Sequence, residues 1–228
     1  AVSVRGFYGG GEAEYVLLLV DGVPVNDAES GLVDWELVPL GQVERVEVLR
    51  GGASSLWGDA AIGAVVNVVT RGGADQAGAQ ASLSGGSYDT AFGSASARGT
   101  WRGRSVSAYG SLRRYGGFRD HAERTVGLVG ASAELLRSER GTLRASLRYA
   151  ATDADLPGPV AGRDGVRGSS PFYRFDGVRD RRVRAALVGT RSLGGAAEVS
   201  GRLVAGWRDA DQTTTLPLSA EFGDTQRR

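Results

Sequence analysis

The chain has 228 residues with 27 basic and 26 acidic side chains, so its formal charge nearly cancels at +1. It contains no Cys, which excludes disulfides, thiolate metal centres and cysteine nucleophiles. Its 41% hydrophobic content is too high for a disordered polymer.

The small net charge hides two opposed parts. Residues 1–75 carry 4 Arg and 11 acids, a net of −7, whereas residues 98–208 carry 21 Arg and 10 acids, a net of +11. Such asymmetry marks distinct regions, and the Gly-rich stretch Arg71-Gly72-Gly73-Ala74-Asp75 reads as their join. The longest apolar runs, residues 15–20 and 60–66, are far shorter than a membrane helix requires, and no signal peptide opens the chain. With no Met, residue 1 is not a translation start, and a processed or partial chain is expected.

In chain order, Tyr15-Val16-Leu17-Leu18-Leu19-Val20 predicts a compact buried strand. Asp21-Gly22 after it is a strong hairpin signal, because the turn needs positive φ, where Gly is free and Asp tolerable. Val23-Pro24-Val25-Asn26 is the return strand, confined to a sheet edge by its Pro. Residues 42–50 alternate strictly and stop at Gly51-Gly52. Residues 53–57 fit one helical turn, and residues 60–68 form a further strand. These pieces predict a small mixed α/β unit that begins before residue 1.

From about residue 77 the period becomes 2. Val106, Ala108, Gly110 and Leu112 interleave with Ser105, Ser107, Tyr109, Ser111 and Arg113. Leu143, Ala145, Leu147 and Tyr149 interleave with Arg144, Ser146 and Arg148, and Val199, Leu203 and Trp207 lie opposite Ser200, Arg202 and Arg208. Seven strands are expected, at about 77–86, 89–101, 104–116, 125–137, 141–153, 182–193 and 196–209, with residues 211–228 entering an external loop. A soluble β-sandwich gives the same alternation. Two features favour a transmembrane β-barrel: tight connections alternate with long polar ones, and the apolar face is rich in Gly and Ala, weak as a soluble core but adequate against lipid. Seven strands cannot close a single-chain bacterial barrel, which takes an even number from eight upward, so both ends are expected to be cut.

Four motifs in order then carry a resemblance. Val4-Arg5-Gly6-Phe7, Leu19-Val20-Asp21-Gly22-Val23-Pro24-Val25-Asn26, Val43-Glu44-Arg45-Val46-Glu47-Val48-Leu49-Arg50-Gly51 and the stretch from Ser54-Ser55-Leu56-Trp57-Gly58 to Asn67-Val68-Val69-Thr70 resemble the plug-domain motifs of TonB-dependent outer-membrane receptors. The resemblance implies a partial α/β plug over residues 1–73. Residues 74–228 would then be the first part of an antiparallel transmembrane β-barrel, about seven strands of roughly 22, whose lumen the plug blocks. It implies a bacterial outer-membrane receptor, not an enzyme. Such a receptor binds a scarce small molecule, such as a ferric siderophore, corrinoid, haem or glycan. It imports that ligand by plug displacement, driven by the TonB energy-transducing complex through an N-terminal segment absent here. The other partners implied are outer-membrane lipid and lipopolysaccharide around a monomeric barrel, with no cofactor. A passive porin or surface adhesin is the alternative.

Carried over by position, Arg5, Glu47 and Arg50 match plug residues that face the barrel wall. The loops at residues 7–14 and 26–35 would be ligand-facing, with Phe7, Tyr8, Asn26, Asp27 and Trp35 as contacts. The acidic plug and the basic wall segment give ion pairing a physical basis, since Arg forks suit carboxylates. His121, the single histidine, sits among Arg119, Asp120, Glu123 and Arg124 and reads as part of a solvated charge cluster. With one His and no Cys, a transition-metal centre or a Ser-His-Asp triad has almost no material. Asp153, Asp155, Asp209 and Asp211 read as exposed acids, not as Ca²⁺ ligands. Arg residues mixed with acids along strands, without a stacking platform, argue against nucleic acid.

Overall fold

The computed structural model describes residues 15–27, 30–52, 57, 61–72, 77–159, 168, 171–194, 197–217 and 223–227. Its first sheet grows from the aliphatic run: β1 (Val16–Val20) is buried along its whole length. Leu18 and Val20 pack with Val25 and Val68 on one face. Leu17 and Leu19 pack with Ala61 and Val65 on the other. A strand covered on both faces has no polar side, which is why its sequence is a continuous run instead of an alternation. Asp21 and Gly22 turn the chain with φ of 54° and 76°, and β2 (Val23–Pro24) returns along β1. β3 (Val43–Arg50) and β4 (Ala64–Thr70) complete the sheet in the order β2-β1-β4-β3, with β1 and β4 parallel. Pro24 thus sits on an edge, where its missing N–H costs no ladder bond. Of the helical turn expected at 53–57, Trp57 lies among the described residues and is helical.

The second sheet is a meander of eight antiparallel strands in chain order. They are β5 (Gly78–Gly86), β6 (Thr90–Trp101), β7 (Arg104–Tyr115), β8 (Arg124–Ser138), β9 (Gly141–Asp155), β10 (Gly177–Gly194), β11 (Ala197–Pro217) and β12 (Gly223–Arg227). The first seven match the seven expected strands. β10 starts earlier and β11 runs on to Pro217, and β12 takes up part of the stretch expected to be loop. The reason is visible in the register. Arg179 pairs with Asp153 and Asp211 across the ladder, and Arg181 with Asp209. Those positions are polar on both faces, so side-chain pattern loses them while main-chain pairing holds them.

The wall has two chemically opposite faces. Leu83, Leu112, Val129, Leu147, Leu203 and Trp207 point away from the first sheet and are exposed, Leu203 to 68% and Leu83 to 87%. Val126, Leu128, Ala150, Thr152 and Ala154, on the other parity, are buried. Exposed Leu on one continuous face is the signature of a lipid-facing band. Tyr149 and Trp207 flank Val183 in register at one end of that band, and the Arg179/Arg181–Asp153 ion pairs lie just beyond them. Aromatic rings followed by charge mark a membrane–water interface. The long connections leave from this end, and the tight turns at 102–103 and 139–140 lie at the other.

Candidate functional site: the interface between plug and wall

The β1–β2 hairpin is held at its tip by wall arginines. Arg148 Nη2 donates to the Val20 carbonyl at 3.1 Å. Arg202 donates to the Gly22 carbonyl, Arg184 to the Pro24 carbonyl, and Arg184 also to Asn26 O at 3.4 Å. These are alternate carbonyls running from the end of β1 through the turn and along the edge strand β2 to Asn26. An uncovered edge presents unpaired acceptors, and here guanidinium forks cover it. The Arg202 guanidinium also sits 4.2 Å from the Trp57 ring centroid, a cation–π contact with the plug.

Three plug acids complete the interface. Asp21 accepts from Thr70 N at 2.8 Å and Thr70 Oγ1 at 2.9 Å, and its Oδ2 lies 3.2 Å from Arg148 Nη2. Asp27 Oδ2 lies 2.8 Å from Arg208 Nη1 and 3.6 Å from Arg182 Nη2. Both arginines also hold Asp180 of the wall, at 2.8 Å and 2.6 Å. Two carboxylates and two guanidiniums therefore form a charge-balanced square, and both acids in it are buried. Glu36 pairs with Arg124. Charges removed from bulk water attract more strongly than exposed ones, and removing one partner leaves the other's desolvation uncompensated.

Two further contacts pair no opposite charges. Arg71 of the plug donates to Gln80 of β5 at 2.9 Å. Gly41 lies against β6 so closely that a Cβ there would stand 3.2 Å from Ser94 Oγ.

The predicted site residues fall into separate places. Arg5, Phe7 and Tyr8 lie outside the described residues. Asn26 ties its loop to β1: Nδ2 donates to the Val16 and Gly31 carbonyls, each at 2.9 Å, and Oδ1 accepts from Leu18 N at 2.8 Å. Asp27 belongs to the charge square and also accepts from Ser30 N and Oγ. Trp35 opens a short 3-10 turn capped by Asp34 and is 38% exposed. Glu47 and Arg50 lie on β3, the plug edge opposite the clamped hairpin. Glu47 accepts from Asn67 Nδ2 and Arg45 Nε, each at 2.9 Å, and these donors hold its carboxyl below the ordinary carboxylate range. Arg50 is exposed at the end of the strand.

Sequence reading did not single out Asp21, Glu36 or the wall arginines Arg124, Arg148, Arg182, Arg184, Arg202 and Arg208 as individual contacts. The sequence pattern places Asp21 only in its turn. The usable signal was inward strand parity combined with the opposite charges of the two segments.

A cleft of about 550 Å³ opens at the long-loop rim between the β7–β8 and β9–β10 connections. His121, Glu123, Arg124, Asp155, Arg174 and Phe175 line part of it.

A small sheet gripped through its polar edge by the inner face of a lipid-banded meander defines a plugged outer-membrane barrel. Residues 1–65 match the family model described as TonB-dependent Receptor Plug Domain. The vitamin B12 transporter BtuB of Vibrio cholerae is 41% identical over 83 residues, which cover 36% of this chain and 14% of that protein. The Vibrio vulnificus BtuB is 40% identical over 87 residues, 38% of this chain and 14% of that protein. Among solved structures, the unliganded ferric citrate transporter FecA superposes with a TM-score of 0.72 at 22% identity, covering 91% of this chain and 33% of that one. The siderophore receptor PiuA from Acinetobacter baumannii gives 0.68 at 14% identity, covering 88% and 30%. The chain thus spans about a third of the solved receptors whose fold it shares. Its first 65 residues match the plug domain of TonB-dependent receptors, and its wall strands share the fold of the solved outer-membrane receptors.

Proposed function

We propose that this plug and wall work in an energised importer, in which the inner-membrane TonB complex draws the plug away from the wall once a scarce ligand is bound. The observation that carries this reading is the clamp: hairpin carbonyls and the acids Asp21, Asp27 and Glu36 are all held by wall arginines. A plug that must move needs contacts that water can replace. Carbonyls, carboxylates and guanidiniums released from one another are re-solvated, whereas an apolar seam would be left exposed. A corrinoid is the ligand this reading favours. Its support is the 41% identity to proteins named as vitamin B12 transporters. A ferric siderophore is the second reading, suited by the net +11 of residues 98–208. Trp35, with Phe7 and Tyr8, would offer stacking surface, while Asn26 and Asp27 shape the loop behind them. Arg5, Glu47 and Arg50 would face wall strands beyond those of this chain.

The test is uptake by cells that lack their own corrinoid receptor and express the full receptor. Labelled cyanocobalamin should accumulate only when the TonB complex is intact. Uptake of ferric chelates in its place would overturn the corrinoid assignment. Accumulation that persists without the TonB complex would overturn active transport and leave a passive pore.

A further inference from the structure

We propose that His121, Glu123 and Asp155 form a divalent-cation site of the zinc class at the long-loop rim. One ligand atom from each lies within 4.8 Å of the others, and His121 Nδ1 stands 3.7 Å from Asp155 Oδ2. Donors at about 2.1 Å from a tetrahedral zinc are roughly 3.4 Å apart. Closing the set therefore asks only for small rotations of two exposed carboxylates.

The orientation of the imidazole is the second observation. His121 Nε2 lies 2.9 Å from the Asp176 carbonyl. A carbonyl only accepts, so Nε2 carries a proton, and Nδ1 is the ring nitrogen turned toward Asp155. Imidazoles that bind metal are held this way, with the second ring N–H given to a carbonyl or carboxylate. That carbonyl is itself anchored: the buried Asp176 carboxylate accepts from Thr215 Oγ1 at 2.7 Å and from Thr215 N at 3.0 Å. Asp155 N donates to the Glu123 carbonyl at 2.8 Å, which keeps the two acids side by side. Nδ1 and the two carboxylates therefore face one another across a gap that a cation would fill.

The donor set selects the ion. One imidazole nitrogen with two carboxylates suits Zn²⁺, Co²⁺ or Ni²⁺, whereas Ca²⁺ and Mg²⁺ take oxygen ligands. Three side chains leave a further coordination position for water or for a group entering the rim cleft. The neighbouring strand residues Asp153 and Arg179 lie beyond the aromatic ring formed by Tyr149 and Trp207, so the site stands in the aqueous phase outside the lipid band. An ion there would tie the β7–β8 connection to the end of β9. Through Asp176 it would also brace the β9–β10 connection against β11.

The experiment uses tag-free full receptor in detergent, stripped with chelator and titrated with Co²⁺ by visible absorption and with Zn²⁺ by calorimetry. One ion per chain is expected, in a tetrahedral or five-coordinate spectrum. Binding should weaken by at least about tenfold in both His121→Ala and Asp155→Asn, on the order of what disturbing a metal ligand's surroundings already costs. Glu123→Gln is the second variant, and circular dichroism checks that each variant keeps its strands. Absence of saturable binding, equal binding in all three variants, or displacement by equimolar Ca²⁺ would each overturn the proposal.

Discussion

The plug sheet and the wall bury opposite kinds of surface. In β1 the aliphatic residues are enclosed on both sides and Leu18 is fully buried, so that sheet is organised as a soluble core is, by removing apolar area from water. In the wall a continuous band of large aliphatic residues is exposed, and the enclosed face mixes Val126, Leu128 and Ala186 with Ser, Thr, Arg and Asp. The same alternation that would build a sandwich core therefore builds a lipid band here. The two regions meet through charge and main-chain hydrogen bonds, with no shared hydrophobic cluster among the described residues. Coupling of that kind holds a part in place while leaving it removable.

Four experiments test that contrast. Leu18→Ala should act on the plug alone, costing about 2–5 kcal/mol as a buried Leu truncation does. Faster protease cleavage within residues 15–70, with the wall left intact, would be the readout. Loss of both regions together would show one shared core instead of two.

Leu203→Arg reverses the logic on the wall. A charge on a mid-band lipid face costs roughly 2–4 kcal/mol, whereas a solvent-exposed position tolerates it within about 0.5 kcal/mol. Urea titration of the receptor folding into phospholipid vesicles separates the two, and a negligible effect would mean that this face does not meet lipid.

Asp27→Asn attacks the junction. It leaves Arg182 and Arg208 with Asp180 as their remaining wall carboxylate, at an expected cost of about 1–3 kcal/mol. A double-mutant cycle with Arg208→Gln should return a coupling of about 0.5–3 kcal/mol, measured from the urea dependence of plug release. Strict additivity would show that the square carries no mutual stabilisation.

The smallest effect belongs to Glu47 on the far plug edge. Asn67 and then Arg45 lower its folded-state pKa, so its contribution is present above the unfolded carboxylate pKa. It fades as pH falls through the lowered folded value. Stability of the wild type relative to Glu47→Gln should therefore be slightly higher at neutral pH, with the gap closing in acid. A gap that widens in acid would contradict that arrangement.

Much of the architecture was legible in the residues because it depends on local rules. The Asp21-Gly22 turn, the edge position of Pro24, the fully apolar β1 and the two-residue period from β5 to β11 each follow from backbone geometry and solvent preference at neighbouring positions. The ends of β10 and β11 were not legible. Beyond the lipid band both faces of a strand meet water, so only the partner strand's hydrogen bonds keep it extended.

The site divides along the same line. The opposite charges of the two segments are a property of composition, and they foretold that acids of the plug would meet arginines of the wall. Which acid meets which arginine is a long-range matter: Asp27 reaches Arg208 and Asp21 reaches Arg148 only because the whole meander wraps the hairpin. His121 shows the same limit at the rim. Alone in the sequence it lacked partners for a metal, and the fold supplied them by bringing Asp155 and the Asp176 carbonyl beside its ring. Periodicity and turn chemistry are written into neighbouring residues, so the sequence by itself determined the elements and the sign of the charge on each part. Pairing between residues more than a hundred positions apart depends on the register of eight strands at once, and only the tertiary structure decided it.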